Sequence, residues 1–79
     1  MSWKDRIEIE PKILAGKPIV VGTRLSVDFL LGLFAQGWSK ADVLRSYPQL
    51  REEDLHAVFA YSAARLKDEM LITNDGSHI

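Results

Sequence analysis

The residues best suited to chemistry fall into a few groups. Glu52, Glu53 and Asp54 stand together two places before His56, a combination of types that general acid–base catalysis uses. Adjacent positions on a helix point in different directions, so these acids cannot converge on one atom, and they read as the exposed start of a helix. His56 and His78 lack metal-ligand spacing, and the chain has no cysteine, which removes disulfides, thiolate metal sites and thiol nucleophiles. "GKPIVVGT", Gly16 to Thr23, has the glycines and lysine of a phosphate loop without the Gly-x-x-x-x-Gly-Lys-[Ser/Thr] order. No catalytic residue, metal site or cofactor motif is therefore expected. Scattered cations remain, suited to phosphates or carboxylates: Lys4, Arg6, Lys17 and Arg24 early in the chain, then Lys40, Arg45 and Arg51.

Their distribution is uneven. The net charge is −1, but residues 1–24 hold five basic and three acidic side chains, while residues 25–79 hold five and eight. A polyanion is drawn to the first third, because local charge governs encounter. An excess of two charges is equally ordinary for a solvated surface.

Elements to position these side chains must come from a 79-residue, single-domain chain, 1–79, with a correspondingly small core, for which self-association or a partner is a reasonable expectation. No stretch approaches the roughly 20 apolar residues of a membrane span, and "MSWKDRIEIE" is too charged for a signal peptide, so a cytoplasmic location is expected.

Residues 1–27 read as a β element. "RIEIEP" alternates, with Ile7 and Ile9 on one side, and stops at Pro11. "KPIVVGTRLSV" predicts a hairpin of Pro18–Val21 against Thr23–Val27, turning at Val21–Gly22, with Pro18 at a strand start or edge. Residues 27–70 read as three helices. The first is capped by Ser26, carries Phe29, Leu30, Leu33 and Phe34 on an apolar face, and ends at Gly37; Gly32 within it implies a closely packed neighbouring backbone. Ser39 to Asp42 forms a capping-box variant opening a short helix that stops near Tyr47, before Pro48. The third helix carries Leu55, Val58, Phe59, Ala63, Leu66 and Met70 as a stripe, and residues 71–79 form a fraying tail. Trp38 is expected to plug the corner between the first two helices. Trp3 either folds back on its own domain or waits for a partner.

The stretch from Arg6 to Ala63 resembles the domain-of-unknown-function family 433. Its pattern runs through Arg6, Ile7 and Pro11, then Gly16-Lys17-Pro18 and Gly22-Thr23-Arg24, Gly37, Tyr47-Pro48 with Leu50, and Glu53-Asp54-Leu55. The resemblance implies a mainly α, homeodomain-like helix-turn-helix bundle of three helices with an amino-terminal β element. It also implies the antitoxin half of a type II toxin–antitoxin pair, neutralising a PIN-like ribonuclease encoded next door and binding its own promoter DNA as a homodimer. A free-standing DNA-binding regulator or adaptor is the alternative. Where many relatives cap the third helix with threonine or serine, this chain has Arg51.

On this reading Lys40, Arg45 and Arg51 are candidate DNA contacts. Arg6, Lys17, Thr23 and Arg24 are candidate contacts to partner or DNA, and Gly16, Pro18, Gly22, Gly37 and Pro48 shape the scaffold. The edge of the Gly16–Val27 segment, with "RIEIE", is the expected homodimer contact, since an unpaired edge templates association.

Overall fold

A computed structural model describes residues 2–73, with side chains through Asp68. A short 3-10 turn at Trp3–Asp5 leads into two antiparallel strands, β1 (Ile7–Ile9) and β2 (Pro18–Val20). Three helices follow: α1 (Val27–Ala35), α2 (Lys40–Ser46) and α3 (Glu52–Thr73). The fold is mainly helical, with the two-stranded sheet at its amino-terminal end. No helix among the described residues is long and apolar enough to cross a membrane.

The strand pairing differs from the expected hairpin. β2 pairs with β1, Ile7 opposite Val20 and Ile9 opposite Pro18, and its strand-like pairing with the following segment is limited to an isolated bridge from Ile19 to Ser26. The reason is local. Ser26 is already the cap of α1, its side-chain oxygen accepting the Phe29 N–H at 3.1 Å, so the chain turns helical before a third strand can extend. That bridge also covers the outer edge of β2, which moves the sheet's open edge to β1. Ile7 is buried as its alternation predicts, but Ile9, at the end of the sheet, is 60% exposed.

Each helix boundary has a visible cause. Gly37 ends α1 in a Schellman motif: its φ is +99°, its N–H donates to the Phe34 carbonyl at 3.0 Å, and the Trp38 N–H donates to Leu33 at 3.1 Å. Trp38 thereby packs against the core as expected. The capping box is complete, the Asp42 N–H donating to Ser39 Oγ at 3.1 Å and the Ser39 N–H to Asp42 Oδ2 at 2.9 Å. α2 stops at Tyr47, whose backbone leaves the helical region (φ −126°, ψ 76°) as suits the residue before Pro48, and the Leu50 N–H closes the turn onto the Tyr47 carbonyl at 2.9 Å.

The core joins Ile7, Ile19 and Val20 of the sheet to Val27, Leu30 and Leu33 of α1, Val43 of α2, and Leu55, Ala57 and Val58 of α3. Two apolar faces are narrower than their sequence pattern. On α1 Phe29 lies outside at 43% exposure, edge-on to Tyr47 with ring centres 5.9 Å apart. Among the described residues of the α3 stripe only Leu55 and Val58 are buried, because the sheet and the other helices cover the first turns; Phe59 and Leu66 are 37% and 59% exposed. α3 also runs to Thr73, three residues past its expected end at 70. The rest of the expected tail, with His78, and the Met70 side chain lie outside the described residues. Trp3 folds back, edge-on to Tyr61 of α3 at 5.0 Å, and Phe34 meets Phe59 at the same distance.

Gly32 has open space where a backbone was expected: a Cβ there meets no atom within 4 Å. With no contact to protect and no positive φ, Gly32→Ala will stabilise the domain by roughly 0.5–1 kcal/mol, the helix-propensity difference. Urea unfolding will show this as a higher midpoint at unchanged slope.

Candidate interaction surface

The turn that carries Arg24 is built by its two predecessors. Gly22 adopts a φ of +82°, open to glycine at little cost. Thr23 then staples the turn: its N–H and its hydroxyl both donate to the Val20 carbonyl, at 3.0 and 2.8 Å, and its Oγ1 accepts the Leu25 N–H at 3.0 Å. The Val20 N–H donates in turn to the Leu25 carbonyl at 3.0 Å. Arg24 therefore projects from a backbone pinned on both sides. Its own side chain is exposed and has no hydrogen-bond or ion-pair partner among the described residues.

A second, strained turn stands beside it. Leu14, Ala15 and Gly16 have φ of +51°, +56° and +81°, a left-handed turn closed by bonds from Gly16 N–H to Ile13 and from Lys17 N–H to Leu14. For leucine and alanine this region costs about 1–2 kcal/mol per residue. The cost brings only partial burial, since Leu14 remains 42% exposed. Leu14, Leu25 and Phe29 line a shallow, mainly apolar hollow, with Arg24 and Ser26 also in its wall.

Lys17 leaves the left-handed turn to pair with Asp28 of α1, Nζ to Oδ2 at 3.3 Å. Asp28 also accepts from the Ser26 hydroxyl. That hydroxyl is the main cause that holds the Asp28 carboxyl below its ordinary range; burial opposes it, and Lys17 adds to the lowering. Lys17 is thus a brace between the β element and α1, and its charge is locally matched.

The remaining candidates are dispersed. Arg6 donates from Nη1 to Asp54 Oδ1 at 2.9 Å, in a pair whose side chains are 23% and 10% exposed. Asp54 is therefore buried in the fold, unlike the exposed acid expected from its run; Glu52 and Glu53 do face solvent. Arg45 pairs with Asp42 at 2.6 Å, one turn away on its own helix. Lys40 lines a hollow with Glu52, Glu53 and His56, and Arg51 lies exposed just before α3. Lys40 and Arg45 line different hollows. Among the described residues no group of histidines and acids could hold a metal ion.

The sequence profile described as "Protein of unknown function (DUF433)" matches residues 7–62. The chain belongs to the DUF433 family. A crystal structure of a DUF433 member protein from Anabaena variabilis superposes with a TM-score of 0.76 at 29% sequence identity. The match covers 82% of the present chain and 64% of that one, so the present chain spans just under two thirds of its relative's length. No curated protein matches it.

The DUF433 segments Gly16-Lys17-Pro18 and Gly22-Thr23-Arg24 now divide by role. Gly16 and Gly22 supply positive φ, Pro18 opens β2, Lys17 braces α1 and Thr23 staples the turn. Arg24 makes no hydrogen bond or ion pair among the described residues. Sequence reasoning placed Arg24 among the candidates but missed Leu14 and Phe29, its neighbours around the hollow. Leu14 stood in an undistinguished loop, and Phe29 was absorbed into a helical stripe whose far flank the small body does not cover.

Proposed function

We propose that this DUF433 protein is a binding module of the antitoxin type, which holds a PIN-like ribonuclease through the surface around Arg24. The observation that carries the reading is the presentation of Arg24. A permanently charged, bidentate donor, without an ion-pair partner among the described residues, sits on a doubly stapled turn next to exposed apolar side chains. Fixing the backbone in advance lowers the ordering cost of binding. The choice of a ribonuclease as partner rests on the family resemblance alone. The reading includes a homodimer and a homeodomain-like classification of the three helices.

DNA is the second reading, favoured by the arrangement of α2 and α3 around the Tyr47–Leu50 turn, which has the proportions of a helix-turn-helix. In that mode the first turn of the second helix faces the bases. Here that turn presents Glu52 and Glu53 to the same polyanion. Protein recognition is therefore placed first.

Co-expression of the tagged chain with the product of the adjacent gene, followed by light scattering, tests the proposal. A complex of defined mass is expected. Recovery of the chain alone, with the neighbour soluble and unbound, would reject the antitoxin reading. The DNA reading then predicts that Lys40→Ala with Arg45→Ala weakens promoter binding and flattens its salt dependence, each lost phosphate contact removing about one released counterion.

A further inference from the structure

We infer that the hollow between Leu14 and Phe29 is a seat for one apolar side chain of a partner protein, and that Arg24 at its rim takes a carboxylate from the same partner segment. The inference rests on the protein-binding reading and names the chemistry of the segment bound.

Several observations converge. The hollow's wall is formed mostly by apolar surface from Leu14, Leu25 and Phe29, of which Leu14 and Phe29 are 42% and 43% exposed. Large apolar side chains left out of so small a core mark a surface that association covers. Leu14 is held there by a left-handed backbone whose cost its own burial does not offset, and strain of this kind clusters at ligand clamps. Charge then narrows the occupant. Lys17 is matched by Asp28, which leaves Arg24 as the cation at the hollow's wall and calls for an acidic ligand group.

A single arginine beside an apolar seat fits a carboxylate next to an apolar anchor better than it fits a nucleic-acid backbone, which binds arrays of cations. Arginine also meets a carboxylate through two parallel hydrogen bonds, and arginine and aromatic anchors dominate protein interfaces. The segment expected is short, with leucine or phenylalanine within a few residues of aspartate or glutamate.

The inference can be tested on the isolated full chain, independently of any ribonuclease. The probes are the blocked peptide acetyl-Asp-Leu-Phe-Glu-amide and its uncharged counterpart acetyl-Asn-Leu-Phe-Gln-amide, titrated into nitrogen-15-labelled protein. Amide shifts are expected at Leu14, Arg24, Leu25 and Phe29, with affinity roughly tenfold weaker for the uncharged peptide, the typical effect of losing one charge-assisted hydrogen bond. Arg24→Gln is expected to abolish that tenfold preference without moving the melting temperature, since Arg24 has no hydrogen-bond or ion-pair partner to lose among the described residues.

Shifts elsewhere, or none at the hollow, would overturn the inference. So would equal affinity for the two peptides, or a short DNA duplex shifting Arg24 where the acidic peptide does not. Failure of the peptide arm alongside a stable ribonuclease complex would reject this seat while leaving the antitoxin reading intact. The reverse pattern would reject the ribonuclease and keep the seat.

Discussion

Asp54→Ala will lower stability by about 3 kcal/mol and the melting temperature by roughly 10–20 °C, more than the loss of an exposed ion pair. The carboxylate does several jobs at once. Oδ1 accepts from Arg6 Nη1 at 2.9 Å, and Oδ2 accepts the Arg51 N–H at 2.8 Å. The second bond is half of a capping box, and it answers the arginine that stands where a hydroxyl cap is commoner. The charge also sits in the first turn of α3, where the helix dipole favours an anion. Arg6 carries the connection onward. Its N–H donates to the Trp3 carbonyl at 2.9 Å and its carbonyl accepts from the Val21 N–H at 2.8 Å, so one ion pair ties the amino-terminal turn and the sheet to α3.

Asp54→Asn separates these contributions. The amide oxygen can still accept from the Arg51 N–H, so the cap survives, while the amide NH2 faces Arg6 and the hydrogen bond and charge interaction with Arg6 are lost along with the charge at the dipole. About half of the alanine effect is expected, read by thermal unfolding monitored by circular dichroism. Equal losses for asparagine and alanine would mean that the cap contributes nothing.

This pair also shows where the sequence was legible and where it was not. Local signals read correctly: the Ser39–Asp42 box, the stop before Pro48 and the Gly37 terminus each follow from residues within one turn of each other, and each is present. The family pattern likewise named Arg6 and Asp54. It did not reveal that they meet, since they lie 48 residues apart and only the assembled fold joins them. Strand pairing failed for a related reason. The β-branched run from Pro18 to Val27 favours a local hairpin, yet Ile7 to Ile9 supplies a better partner, and the capping role of Ser26 withdraws the last residues from the sheet. Periodicity on α3 overstated the core because a stripe records what a helix could bury, whereas the body beside it ends after a few turns. The hollow near Arg24 was hidden by both effects: a left-handed turn at Leu14 has no compositional mark apart from Gly16, and Phe29 looked like core.

Leu30→Ala will cost about 3 kcal/mol, within the 2–5 kcal/mol usual for leucine truncated in a packed core. Leu30 is fully buried, and its N–H is the first to close α1, donating to the Ser26 carbonyl at 3.1 Å. At roughly 0.05–0.15 kcal/mol per residue, a domain of this size holds only about 4–12 kcal/mol in all, so the variant loses a large share of its margin. Phe29→Ala, one residue away, will cost about 1 kcal/mol, because its ring is 43% exposed and gives up mainly the edge-on contact with Tyr47. Urea midpoints measured on both variants will show the contrast. Their effects on binding run the opposite way. Leu30→Ala weakens peptide binding only by reducing the folded fraction, so trimethylamine oxide, which favours the compact state, restores it. Phe29→Ala removes a wall of the hollow itself, and no stabilising osmolyte brings the affinity back. Neighbouring residues on one helix thus separate what holds the fold from what the fold presents.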